Sequence, residues 1–154
     1  MKNVSTYRIT LAGWVLACIM VTTAVHAETI KPIKDSKPDI AGAIFQRKDA
    51  VKESKDGNRT TDVVTYTSED SAFQTGMYKS GPLHEEIKNA GGYPYNEFLY
   101  FISGSARLTS SDGSVVVVRA GEAVTIPRGW TGIFDTQGYT KMYVTYNPDD
   151  IKKK

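Results

Sequence analysis

From Thr61 onward the chain alternates short β-branched or aromatic runs with glycine-centred turns, and this rhythm restricts its fold more than any other feature. The runs cover residues 61–67, 73–79, 97–102, 106–109, 115–119, 123–126, 132–135 and 141–146. Between them stand Ser103-Gly104-Ser105, Ser111-Asp112-Gly113, Ala120-Gly121-Glu122, Pro127-Arg128-Gly129 and Thr136-Gln137-Gly138. Short strands spaced by about eight to twelve residues, with turn chemistry between them, predict an all-β sandwich or barrel. No segment carries the period of a long amphipathic helix.

Upstream of this pattern the composition changes. Residues 28–60 are polar, are punctuated by Pro32, Pro38 and Gly42, and read as an N-terminal arm. A short apolar piece, residues 40–45, is expected to form a first strand, and the charged stretch 48–59 ends in the turn signal Asp56-Gly57-Asn58. Residues 61–149 then form the barrel, and residues 150–154 a solvated basic tail. Residues 1–27 have basic Lys2 and Arg8, an apolar run over 9–25, and Val25-His26-Ala27, the pattern of a secretory signal peptide cleaved after Ala27. An uncleaved anchor is the weaker reading, because the run is short for a span. A lipoprotein on Cys18 is weaker still, because Ile19-Met20-Val21 continue the apolar run. The expected protein is periplasmic or secreted, with no membrane attachment after cleavage.

Cleavage leaves 127 residues, with 17 basic against 17 acidic side chains, no cysteine and a single histidine, His84. A chain of zero net charge without a basic stripe is not a nucleic-acid binder. Thiol nucleophiles and thiolate metal sites are excluded, as is any site that needs several histidines from one chain. A Ser-His-Asp system has only His84 as base, and no nucleophile elbow surrounds any serine.

Two motifs resemble those of the cupin superfamily, small jelly-roll β-barrels, over about residues 73–147. Glu97-Phe98-Leu99-Tyr100-Phe101-Ile102-Ser103-Gly104 matches the glutamate-to-glycine half of the first cupin motif. Gly121-Glu122-Ala123-Val124-Thr125-Ile126-Pro127-Arg128-Gly129-Trp130-Thr131-Gly132 matches the second motif, except that Gly132 stands where a histidine belongs. The histidine pair before the glutamate is replaced by Tyr93-Pro94-Tyr95-Asn96. Tyr-Pro-Tyr, and later Pro-x-Gly-Trp-x-Gly, are similar to the subgroup of (S)-ureidoglycine aminohydrolase and the ethanolamine-utilisation cupin. The resemblance implies a single jelly-roll barrel, and it transfers a fold rather than a substrate.

It also implies that Glu97 points into the barrel, with Tyr93 and Tyr95 at or beside the vacated histidine positions. Strand alternation adds Tyr78, Phe134 and Tyr143 as lining candidates. Trp130 either lines the mouth or anchors its loop, and Arg128 either meets an anionic ligand or is simply solvated. Glu97 is the expected lone interior charge, a desolvated carboxylate suited to hydrogen-bonding a ligand. The leading expectation is a small polar molecule bound in the barrel, without a cofactor, in a homodimer. One alternative is a metal-independent enzyme using Glu97 with Tyr93 or Tyr95 as acid and base. Another is a divalent-metal enzyme of the ureidoglycine aminohydrolase type, with Glu97 and His84 as ligands and His84 in an inter-strand loop.

Overall fold

The computed structural model describes residues 29–151, so the cleavage site after Ala27, Cys18 and the last three lysines lie outside the described residues. Eight antiparallel strands follow two short helical turns. They are β1 (Val51–Lys55), β2 (Asn58–Thr67), β3 (Phe73–Ser80), β4 (Leu83–Ile87), β5 (Asn96–Ser110), β6 (Val115–Arg119), β7 (Ala123–Ile126) and β8 (Gly132–Tyr146). The main hydrogen-bonded path runs β1-β2-β3-β8-β5-β6, with β4 also on β8 and β7 also on β5.

Two long strands make this a barrel rather than a flat sheet. The first half of β5 pairs with β7 and with the second half of β8, whereas its second half pairs with β6 and with the first half of β8. Both strands shift register where they cross, between Phe101 and Ser103 and between Ser105 and Arg107 on β5. Before the crossing the inward residues of β5 are odd-numbered, Glu97, Leu99 and Phe101; after it they are even-numbered, Ala106 and Leu108. The same change of phase separates Tyr139, Lys141 and Tyr143 from Phe134 and Thr136 on β8. An extra residue at a bulge bends a strand and resets which face looks inward. The ribbon therefore folds into two layers that keep one shared interior. That interior is a single cluster of Leu99, Phe101, Ala106, Leu108, Val118, Ile126, Phe134, Tyr139 and Tyr143, drawn from both layers.

The all-β barrel expected from the sequence is thus present, with two local corrections. Residues 40–45 are not a strand. Lys37–Ile40 forms a helical turn, capped by reciprocal hydrogen bonds between Ser36 and Asp39, and Ala43–Gln46 forms a 3₁₀ turn. The 3₁₀ turn buries the adjacent residues Ile44 and Phe45 together, whereas a strand would send neighbours to opposite faces. Ile44 and Phe45 are buried against Val63 and Met77 on the outer face of the first layer, the one formed by β2, β3, the second half of β8 and the first half of β5. Residues 51–59, read as part of the arm, form β1 and the start of β2. They are joined through Asp56 (φ 50°) and Gly57 (φ 81°), the paired positive φ angles of a tight hairpin.

Candidate functional site

One end of the interior is hollow. A cavity of about 580 Å³ is lined by Tyr78, Tyr93, Tyr95, Glu97, Phe134, Tyr139, Lys141 and Tyr143, with Asp62 and Glu85 also on its wall. The volume suits a small organic molecule. Strand alternation explains the lining, since Glu97 on β5 and Tyr139, Lys141 and Tyr143 on β8 occupy the inward positions of adjacent strands. Asp62, Tyr78 and Lys141 form one inward row across β2, β3 and β8. Gly76 lacks a side chain because Tyr143 passes over it: a Cβ there would lie 2.4 Å from the Tyr143 hydroxyl. With that space free, the Tyr143 hydroxyl donates to Asp62 Oδ1 at 2.9 Å.

The lone interior charge expected at Glu97 is corrected. Lys141 Nζ donates to Glu97 Oε1 at 2.8 Å, and both side chains are nearly sealed, at 9% and 4% exposure. The Tyr93 hydroxyl donates to the other carboxylate oxygen. Three phenol rings surround the ammonium, with centroids 5.4 Å (Tyr78), 5.7 Å (Tyr139) and 5.8 Å (Tyr143) from Nζ. Ring faces stabilise a desolvated cation. Sequence reasoning missed Lys141, although period-2 alternation from Tyr139 to Tyr143 places it on the inward face.

The phenols around the cavity are held protonated. Burial, then the Glu97 charge, pushes Tyr93 far above the usual phenol range, and the same two causes push Tyr95 up to about 12. Burial, followed by the Asp62 charge, raises Tyr143, and burial raises Tyr139. Near neutral pH these phenols are neutral, and Tyr93 donates to Glu97 and Tyr143 to Asp62. Burial also raises the Asp62 carboxyl, and this outweighs the opposing effects of the Tyr143 hydrogen bond and the Lys141 charge.

The shift at Asp62 predicts a pH effect. A carboxyl with a raised folded-state pKa favours the folded state below its unfolded pKa, and the advantage is lost as pH rises through the folded value. Asn keeps an acceptor for Tyr143 and carries no charge. Asp62→Asn is therefore expected to melt at or above the wild-type temperature at pH 7, with the margin shrinking towards about pH 4. A variant clearly less stable than wild type at pH 7 would show that the ionised Asp62 is a strut.

Several expectations are corrected by placement. His84 is in strand β4, not a loop; it faces away from the cavity and bonds Asp135 on the outer side of β8. Its neighbour Glu85 is the β4 carboxylate that lines the cavity, so Glu97 and His84 lie on opposite faces and share no ligand position. Trp130 is an anchor behind the wall, donating from Nε1 to Ser110 Oγ at 3.0 Å and packing edge-on against Tyr93. Arg128 pairs with Asp149 instead of facing a ligand. Tyr78, Tyr93, Tyr95, Phe134 and Tyr143 stand on the cavity wall.

The donor set does not fit a cupin metal. At the motif positions it offers phenols, a glycine and one carboxylate already bonded to an ammonium and a hydroxyl. Transition metals held by nitrogen and oxygen ligands favour imidazole, and among the described residues none faces this cavity. Among the described residues no three His, Cys, Asp or Glu side chains gather as a metal group.

Known proteins agree with this architecture. The chain is similar to a Clostridium difficile EutQ structure (25% identity, TM-score 0.51), matched over 62% of this chain and 67% of that one. A Rhizobium leguminosarum protein of unknown function matches at 19% identity and TM-score 0.54, over 77% of this chain and 99% of that one. A Pseudomonas syringae protein of unknown function matches at 17% identity and TM-score 0.55, over 62% of this chain and 43% of the other, so this chain spans less than half of that length. No protein of curated function matches. Residues 67–143, carrying both cupin motifs and most of the cavity wall, match the EutQ-like cupin domain, and the chain belongs to that family.

Proposed function

We propose that this chain is an exported cupin that binds a small polar molecule inside its barrel without a resident metal. The observation that carries the reading is the cavity itself: it is walled by tyrosines and holds a paired Glu97 and Lys141 where a metal cupin gathers imidazoles. Protonated phenols are donors, and they supply fixed hydrogen bonds to a ligand. The enzymatic alternative loses support because Glu97, its candidate base, is engaged on both oxygens by Tyr93 and Lys141. A metal-dependent reaction of the ureidoglycine aminohydrolase type loses support from the donor set.

The homodimer is part of the same proposal. The outer face of the first layer is covered on one side by Ile44 and Phe45. Tyr66, Phe73, Phe98, Tyr100 and Tyr146 remain 38–45% exposed on that face. A contiguous apolar patch on a sheet face is a docking surface, and a second copy is the occupant proposed. Native mass spectrometry of protein taken from a bacterial envelope fraction tests the whole proposal. The expected species is a dimer of chains beginning at Glu28, each carrying an extra small-molecule mass that leaves on denaturation. Bare protein after gentle isolation would remove the ligand-binding reading. Chains beginning at Met1, or lipidated at Cys18, would remove the export reading.

A further inference from the structure

The charges on the cavity wall do not cancel. Among the described residues, Asp62, Glu85, Glu97 and Asp150 face a single cation on this wall, Lys141. Lys141 is taken up by Glu97, so that pair contributes little net field. Asp62 is half-buried, and among the described residues it has no ion-pair partner; its one side-chain hydrogen bond comes from a neutral phenol. Glu85 faces inward from β4, nearer the solvent, and Asp150 accepts from Asn147, a neutral amide. An enclosed wall carrying an excess of one charge sign concentrates counter-charge within it.

The aromatic wall has the matching preference. Three of its rings already surround an ammonium, that of Lys141. Two of them, Tyr78 and Tyr143, also flank Asp62: Tyr78 as its β3 neighbour in the inward row, Tyr143 as its hydrogen-bond donor. Ring faces attract cations and repel anions. We infer that the cavity selects a small organic cation, whose ammonium group sits against the Asp62 carboxylate and the Tyr78 and Tyr143 rings, while its apolar body fills the tyrosine-walled space. The mouth carboxylate of Glu85 draws the cation in. Repulsion from Lys141 is offset by Glu97. This inference rests on the proposed ligand-binding role of the cavity and names its ligand class.

The test uses three probes of similar shape and different charge: 2-phenylethylamine, 2-phenylethanol and 3-phenylpropionate. Each is titrated into ligand-free protein near pH 7 by calorimetry, at about 50 mM and about 500 mM salt, since screening weakens charge selectivity. The amine is expected to bind at least about tenfold more tightly than the carboxylate at low salt, a preference of about 1.4 kcal/mol. Asp62→Asn should abolish that preference, weakening the amine more than the alcohol. Glu85→Gln, an exposed change that leaves the interior intact, should reduce it in part and serves if Asp62→Asn fails to fold. Equal or tighter binding of the carboxylate or the alcohol would overturn the cation inference and leave ligand binding standing. An amine preference that survives both substitutions would overturn it as well. Failure of all three probes would remove this inference, and the ligand-binding role falls with it only if native protein is also bare.

Discussion

Replacing Glu97 with Gln is expected to lower the melting temperature by about 10 °C. The variant leaves the Lys141 ammonium buried without its counter-charge, at 9% side-chain exposure. Removing one partner of a buried ion pair costs about 3–5 kcal/mol. For a domain of this size each kcal/mol moves the midpoint by roughly 3 °C. An unpaired interior Glu97, as expected from sequence, predicts the opposite, a Gln variant as stable as wild type or more so. The double variant Glu97→Gln with Lys141→Met separates the two accounts, because removing both charges of a buried pair is often close to neutral. Thermal melts should show two damaging single substitutions and a double variant that recovers most of the loss. A Gln variant that melts with wild type would end the ion-pair account.

Gly104→Ala should also cost about 2–5 kcal/mol. Gly104 has φ +74° at the corner where β5 crosses between layers, and a Cβ there would lie 2.0 Å from the Gly138 carbonyl oxygen and 2.8 Å from Tyr139 Cα. Left-handed backbone costs an L-residue about 1–2 kcal/mol, and forced overpacking adds about 1–3 kcal/mol. Gly121→Ala is the internal control, because Gly121 has φ +85° with nothing within 4 Å of the added Cβ. It should lose only the backbone share, about 1–2 kcal/mol. Denaturant unfolding that found the two variants equal would show that the corner tolerates the methyl group and that the close crossing of β5 and β8 does not shape the barrel.

The contrast between these two glycines shows where sequence reading stops. Gly104 and Gly121 both sit in glycine-centred stretches between apolar runs, and both read as turns. Gly121 does lie in a turn after β6. Gly104 lies inside one continuous strand, Asn96–Ser110, and the matching Thr136-Gln137-Gly138 lies inside Gly132–Tyr146. A glycine permits positive φ in either setting; whether the chain reverses or bends there depends on which strands pair on each side.

Local periodicity in the sequence determined the all-β class, most strand positions and the inward places of Tyr78, Phe134 and Tyr143. These properties belong to single strands and are set by alternation along them. The tertiary structure alone decided the site's electrostatics. Glu97 meets Lys141 across 44 residues, and Asp62 meets Tyr143 across 81. His84, the one histidine of the described chain, was turned outward by the register of β4 on β8. Such pairings follow from inter-strand register and the two corner bulges, and a one-residue change in either would send each of these side chains to the opposite face.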